Sequence, residues 1–330
     1  MAAPMPLPSS EYAIAFAAAL WIALAVDRWL GEPPAPLHPV VWMGRYLGMG
    51  AGIAPRAHQA KAVDLPMFFT GALLWCVGAA CVWGVAMALQ TLAMLYLPAW
   101  VMALLIGLLL KPLFAWRMLR DEVLAVEAAL GVSLDAGRQQ LARLVSRDVS
   151  RLSEREVRES AIESLAENLN DSLVAPVFWF VLLGLPGAAL YRFANTADAM
   201  WGYRGERSGR DWTWFGKWAA RADDVLSWIP ARITVALLAL AAWRWPSGLS
   251  EEARRTPSPN SGWPMATVAL LLGVRLAKPG VYALNAEGRA PSADDMQRTA
   301  QLGGRAALAL GVFASLGIVA IVAVTGWRLA

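Results

Sequence analysis

The chain has 330 residues, a formal net charge of +4, and a composition that is 58% hydrophobic and only 16% charged. Soluble domains carry about a quarter of their residues as charges, so this balance, with a mean hydropathy of +0.45, excludes an ordinary soluble protein and points to the membrane. The basic residues are mostly Arg, with no aromatic-interleaved basic tract, so they read as topology and headgroup signals and nucleic acid is not an expected partner.

The amino-terminal stretch "MAAPMPLPSSEYAIAF" lacks a basic n-region, which argues against a cleaved signal peptide, and the first apolar run, about 11–27, predicts a transmembrane helix. Asp27 and Arg28 stand where that helix leaves the apolar core. They open "DRWLGEPPAPLHPVVWMGR" (27–45), whose Pro-rich middle forbids helix and predicts an extended, rigid turn carrying His38. The run 67–110 is far longer than the ~20 residues one crossing needs, and Pro98 in "LYLPAWVMALL" divides it into two helices with a turn near Tyr96–Pro98. Cys76 and Cys81 lie inside this run without metal-ligand spacing and read as packing or lipid-facing residues.

A hydrophilic insert follows, 115–171, predicted to be helical and cytoplasmic. Ser133 is placed to N-cap a first helix with apolar positions at 134, 141, 144 and 145. Ser153 with Glu156 forms a capping box, flanked by Leu152 and Val157 as a staple, so a second helix starts at 153 and should run to about 170. Along it Glu159, Glu163, Glu167 and Asp171 recur every fourth residue and share one stripe. Glu159 reads as a solvated surface residue. The other three run directly into "SLVAPVFWF", and carboxylates held at a bilayer edge are functional candidates.

The segment 172–200 is broken by Gly184-Leu185-Pro186-Gly187 into halves of about 14 residues, each too short to cross, and predicts a re-entrant hairpin. Such a hairpin keeps the Arg-rich stretches 111–171 and 192–221 on one side, as the positive-inside tendency asks. Asn195 and Asp198 stand at its carboxyl end, and Asp223 and Asp224 at the mouth of the next crossing, 225–245. A polar loop is expected at 246–264, a short interfacial or partial span at 263–276 and a last crossing at 306–327. The fold class expected is therefore all-α: a polytopic membrane protein of five to six transmembrane helices, with a re-entrant hairpin and a helical insert in a single membrane domain.

The acidic and amide groups converge on one membrane face: Glu163, Glu167, Asn168, Asp171, Asn195, Asp198, Asp223 and Asp224. Oxygen ligands without His or Cys suit a hard ion such as Mg²⁺, and interleaved Arg residues suit phosphate oxygens. The residues alone therefore indicate a membrane enzyme of phosphate chemistry. Two other readings stay open. A membrane prenyl- or phosphatidyl-type transferase would use similar groups, although the Asp-x-x-x-Asp spacing of a diphosphate-binding helix is missing. A secondary transporter could use broken half-helices, although no inverted repeat is visible.

Five blocks, in order, resemble the CobD/CbiB family of cobalamin biosynthesis, the adenosylcobinamide-phosphate synthases. The first is "DRWLGEPPAPLHPVVWMGR", with its Asp, Gly-Glu-Pro, His-Pro-Val and Gly-Arg; the second is "SRDVSRLSEREVRESAIESLAENLNDSLVAPVFW". "YRFANTADAMWGYR", "RADDVLSWIPARI" and "GWPMA" are similar to later blocks, with Ser227 standing where the family more often has Asn. The segment 278–295 falls where family members vary.

The resemblance implies a membrane-bound ligase that joins adenosylcobyric acid to aminopropanol phosphate or ethanolamine phosphate through an amide, with ATP as co-substrate. It further implies a multi-pass protein of the inner (cytoplasmic) membrane with its site on the cytoplasmic face. Corrinoid, amino-alcohol phosphate, membrane lipid and other late enzymes of the pathway are the partners expected. The chemistry of such a ligation assigns Mg²⁺ to Glu163, Glu167, Asp171 and Asp198, and phosphate to Arg192, Arg204 and Arg147. Asn168 and Asn195 would orient, and Asp223 or His38 would serve as base. No GxxxxGK[ST] loop is present, so the expected ATP site is not a P-loop.

Overall fold

In lipid every backbone polar group must find its partner within the protein, and this chain meets that demand almost entirely with helices. The computed structural model describes residues 9–59 and 62–325; the first eight residues of the stretch read for a signal peptide lie outside them. In chain order the elements are α1 (Ser9–Trp29), α2 (Pro39–Ala51), α3 (Leu65–Tyr96), α4 (Ala99–Leu110), α5 (Trp116–Leu130), α6 (Leu134–Leu141) and α7 (Glu154–Leu169). There follow α8 (Ala175–Trp201), the ribbon β1 (Glu206–Arg207) and β2 (Arg210–Asp211), α9 (Lys217–Leu226), α10 (Trp228–Ala241), α11 (Leu249–Ala253) and α12 (Gly262–Leu272). A second ribbon, β3 (Leu276–Lys278) and β4 (Tyr282–Leu284), precedes α13 (Ala293–Thr325), and both ribbons are antiparallel.

Five helical stretches are long and apolar enough to cross a membrane: Ser10–Trp29, Leu65–Tyr96, Ala99–Leu130, Glu154–Trp201 and Ala293–Val324; α9 and α10, bent by 43° at Ser227, pass the same test only when taken together. The protein is an all-α, multi-pass membrane protein. Its exposed Trp29, Trp100, Trp228 and Trp243 stand at or beside helix ends, where indoles meet headgroups. The break expected near Tyr96–Pro98 falls between α3 and α4, and α12, at 11 residues, is too short to cross alone. Cys76 and Cys81 are unbonded and exposed on α3.

The 172–200 segment folds back on itself. Gly184, at φ 68° and ψ −155°, adopts a conformation open essentially to glycine. Beyond it, a Cβ placed on Gly187 would clash with the carbonyl oxygen of Trp179, eight residues earlier. In a straight helix those positions are separated by about 12 Å of rise, so the chain has reversed. The freed backbone is satisfied from α3: the Leu185 amide donates to Gln90 Oε1 at 2.7 Å, and Gln90 is fully buried inside an otherwise apolar helix. A glutamine in the middle of a membrane helix is costly unless it answers such a need. Here it seals the turn of the hairpin.

Contacts divide the described residues into two compact units: those within 1–114, 175–226 and 313–330 form the first, and those within 115–174 and 227–312 the second. In the first, α1 packs on α4 and α3 on α8, around Phe16, Leu20, Phe180, Tyr191, Phe193 and Trp201. In the second, α7 is wrapped by α5, α6, α12 and β3, so that residues 159–166 are all buried. Both expected caps form there: Ser133 accepts from the Ala136 amide, and Ser153 and Glu156 exchange the reciprocal bonds of a capping box.

Several local expectations need correction. Glu159 is not solvated; it is fully buried, because β3 covers that face of α7, and it pairs with Arg155 at 3.1 Å. The Pro-rich stretch is not wholly extended: a 3₁₀ turn forms at Ala35–Leu37, and α2 begins directly after it, with Pro39 at its first position and His38 as N-cap. The loop 246–264 contains α11, which buries Leu249 and Ala253. Neither ribbon was anticipated, since strands of two or three residues leave no period in the sequence.

Candidate functional site

Helix α7 ends in a π-turn over Asn170–Val174, a local widening often found at functional positions. Asn170 anchors it, accepting from Thr234 Oγ1 on α10 at 3.1 Å and donating to Asp171 Oδ1 at 2.7 Å. One turn earlier, Asn168 donates to the Ser164 carbonyl at 2.9 Å. Arg147, Glu163, Glu167 and Asn168 line one cavity of about 190 Å³, together with Ser146, Ser160, Ser164, Lys278 and Tyr282. Four of these nine residues are among those singled out from the sequence. Lys278 and Tyr282 come from β3 and β4, where they face each other across the ribbon. Their only sequence signal was two polar residues flanking Pro279-Gly280, in a segment without periodicity.

Glu163 is the buried centre of this cavity. It is 4% exposed, with Oε2 3.5 Å from Arg147 Nη2 and Oε1 completing no hydrogen bond of good geometry, although the Tyr282 hydroxyl is its neighbour. Arg147 donates to Ser160 Oγ at 2.5 Å, while its buried Nε likewise completes no hydrogen bond. Burial pushes the Tyr282 phenol up, and the negative charges of Glu163 and Glu167 push it further, so it stays protonated and acts as a donor.

The remaining expected residues belong to the first unit. On α8, Asn195 and Asp198 share a face, and Asn195 Nδ2 approaches Asp223 Oδ1 of α9 at 3.4 Å. Arg192 lies one turn before Asn195, and Arg204 follows the end of α8, near Asp224. Asp224 also meets Arg221 at 3.6 Å. His38 is engaged at both ring nitrogens: Nδ1 accepts the Val40 amide and Nε2 faces Glu32 Oε2 at 3.2 Å.

That contact belongs to a second polar cluster, which the sequence did not announce as one. Lys111, at the foot of α4 and 2% exposed, holds Glu32 at 2.6 Å, Asp27 at 3.0 Å and the Phe114 carbonyl at 3.3 Å. Burial raises the Glu32 carboxyl, but hydrogen bonds from His38 and Lys111 more than offset this and hold it below its ordinary value. The cluster closes one end of a large apolar cavity, about 730 Å³, between α2, α3, α4 and α8. That cavity offers few polar groups to a substrate, because Lys111 and Glu32 are already matched to each other. The smaller cavity has the convergent charges that reaction chemistry needs.

Of the carboxylates expected to hold Mg²⁺, three lie in the second unit and Asp198 in the first. Glu163 and Glu167 share the small cavity, Asp171 is bonded by Asn170, and among the described residues no group of three or more His, Cys, Asp or Glu could hold a metal ion.

Comparison with known proteins decides the family. The profile described as "CobD/Cbib protein" matches residues 20–325. This chain belongs to the CobD/CbiB family. The "Probable cobalamin biosynthesis protein CobD" of Methanothermobacter thermautotrophicus is 40% identical over 281 residues, covering 80% of this chain and 85% of that one. The protein of the same name from Thermococcus kodakarensis is 41% identical, covering 85% and 88%. The "Cobalamin biosynthesis protein CobD" of Rhodobacter capsulatus is 36% identical over 326 residues, covering 93% and 98%. No solved structure matches the chain. Within this CobD/CbiB chain, "AIESLAEN" supplies the α7 wall of the small cavity and "YRFANTADAM" the α8 cluster.

Proposed function

We propose that this protein acts in cobalamin biosynthesis as an amide-forming ligase, joining adenosylcobyric acid to aminopropanol phosphate or ethanolamine phosphate. The observation that carries the reading is the small cavity in which Glu163 and Glu167 meet Arg147 and Lys278, in a chain of the CobD/CbiB family. A carboxylate does not react with an amine until one of its oxygens is made a leaving group. In the reaction proposed, a corrinoid carboxylate oxygen attacks the γ-phosphorus of ATP and ADP departs. The amine nitrogen then attacks the acyl carbon, the bond from that carbon to the phosphate oxygen breaks, and inorganic phosphate leaves. The amine must shed protons along the way. Asp223 and His38, expected as bases, belong to the first unit, and no proton transfer at this cavity is assigned to them.

At the small cavity Arg147 serves the phosphate and Asn168 orients the reactant. Magnesium is assigned no protein cage and no step; it accompanies the nucleotide. The site is proposed to open to the cytoplasm from the inner membrane, where corrinoid and nucleotide are both available. Late enzymes of the same pathway are natural neighbours.

The test is product formation by the purified chain in detergent, given both organic substrates, ATP and Mg²⁺. Corrinoid whose mass has grown by the amine phosphate less one water, with one ADP per amide, is the expected result. Amide without ADP would remove ATP from the mechanism, and absence of amide with either amine would overturn the reading.

A further inference from the structure

We infer that the small cavity of the second unit seats a zwitterion: a primary ammonium and a phosphate monoester on one short carbon chain, held by Glu163 and Glu167 together with Arg147 and Lys278. The inference rests on the ligase reading for the existence of such a substrate and goes beyond it by giving that substrate a place and new partners.

Size is the first argument. A cavity of about 190 Å³ suits a compact polar molecule and is too small to enclose a whole nucleotide or corrinoid. Charge is the second. Two carboxylates and two cations line the same small space, so a simple anion meets Glu163 and Glu167, and a simple cation meets Arg147 and Lys278. Only a ligand bearing both signs is favoured by all four.

The third argument is the pair of atoms left over. Glu163 Oε1, on a side chain 96% buried, is an acceptor without a well-formed hydrogen bond, and Arg147 Nε is a buried donor in the same condition. Buried polar groups are rarely left so, and each costs free energy until a partner arrives. An ammonium hydrogen answers the first and a phosphate oxygen the second. Ser160 and Ser164 add hydroxyls, and the Tyr282 phenol, which burial keeps protonated, adds a further donor. The β3–β4 register places Lys278 opposite Tyr282, so one tight turn delivers both.

The experiment is calorimetric titration of the full chain in detergent, without corrinoid or nucleotide, using aminopropanol phosphate, aminopropanol and propyl phosphate. Aminopropanol phosphate should bind at least tenfold more tightly than either single-charge analogue. Lys278→Met should weaken it at least tenfold and abolish its advantage over aminopropanol, and Glu163→Gln should abolish its advantage over propyl phosphate. Equal affinity for a single-charge analogue, or no binding by the unaltered chain, would overturn the inference. Unchanged affinities in both variants would do the same. Should a variant fail to fold, the ligand series on the unaltered chain decides alone. Binding without amide synthesis would keep the cavity assignment and remove the ligase; amide synthesis with an unchanged KM for the amine in Lys278→Met would do the reverse.

Discussion

The two units each bury a group of charges, and the groups differ in how completely they are matched. In the first unit Lys111 has three oxygens around its ammonium, Asp27, Glu32 and the Phe114 carbonyl, and Glu32 also meets His38. Every strong charge there has an opposite in contact. In the second unit Glu163 has one guanidinium at 3.5 Å, an Oε1 that completes no hydrogen bond of good geometry, and a cavity of about 190 Å³ in front of it. A fully matched buried cluster holds loops in place. A partly matched one that faces a cavity is poised for a ligand, and this difference separates architecture from chemistry more clearly than the count of acidic residues does.

The sharpest way to break the comparison is to remove the centre of the closed cluster. Lys111→Met strands Asp27 and Glu32 in a buried site and should cost about 3–5 kcal/mol, read as a large drop in the unfolding midpoint in detergent. A loss under about 1 kcal/mol would mean that the cluster is solvated in solution. Gln90→Leu tests the hairpin beside it: the Leu185 amide loses its acceptor, at a cost of about 1–3 kcal/mol. Its sequel, Gln90→Glu, preserves the acceptor oxygen and separates that bond from simple packing.

A smaller effect concerns acid. The Glu32 carboxyl titrates below its ordinary value of 4.5 in the folded protein, so its contribution to stability is present above the unfolded value and is lost as pH falls through the folded one. The unfolding midpoint should therefore fall more steeply below pH 4.5 in the native chain than in Glu32→Gln. Identical slopes would show that the cluster does not hold that proton off. The smallest stability change belongs to Glu163→Gln, which keeps the side-chain volume in a partly matched site and should cost less than the about 3–5 kcal/mol of breaking a matched buried pair. The contrast with Lys111→Met is the content of the comparison.

Much of this architecture was legible because lipid imposes long apolar runs, and Pro98, Ser133 and the Ser153–Glu156 box punctuate them with fixed local chemistry. Gly184-Leu185-Pro186-Gly187 disclosed the reversal, but not Gln90, whose role depends on a contact 95 residues away. The acidic stripe of α7 was visible as a period. Its burial was not, since the ribbon that covers Glu159 and supplies Lys278 and Tyr282 is too short to carry a pattern. The same blindness explains Lys111: one lysine ending an apolar run looks like an interfacial anchor until Asp27 and Glu32 are seen to enclose it. Grouping the carboxylates as a metal set followed from composition; the partners seen are an amide for Asp171 and a guanidinium and a phenol for Glu163.

The central claim is that the open cavity serves amide formation, and the most direct measurement is amide yield from the native chain and from Glu163→Gln side by side, each first shown to unfold at the same temperature. The account predicts stoichiometric adenosylcobinamide phosphate from the native chain and a loss of at least a hundredfold in Glu163→Gln. Equal yields from the two proteins would contradict it.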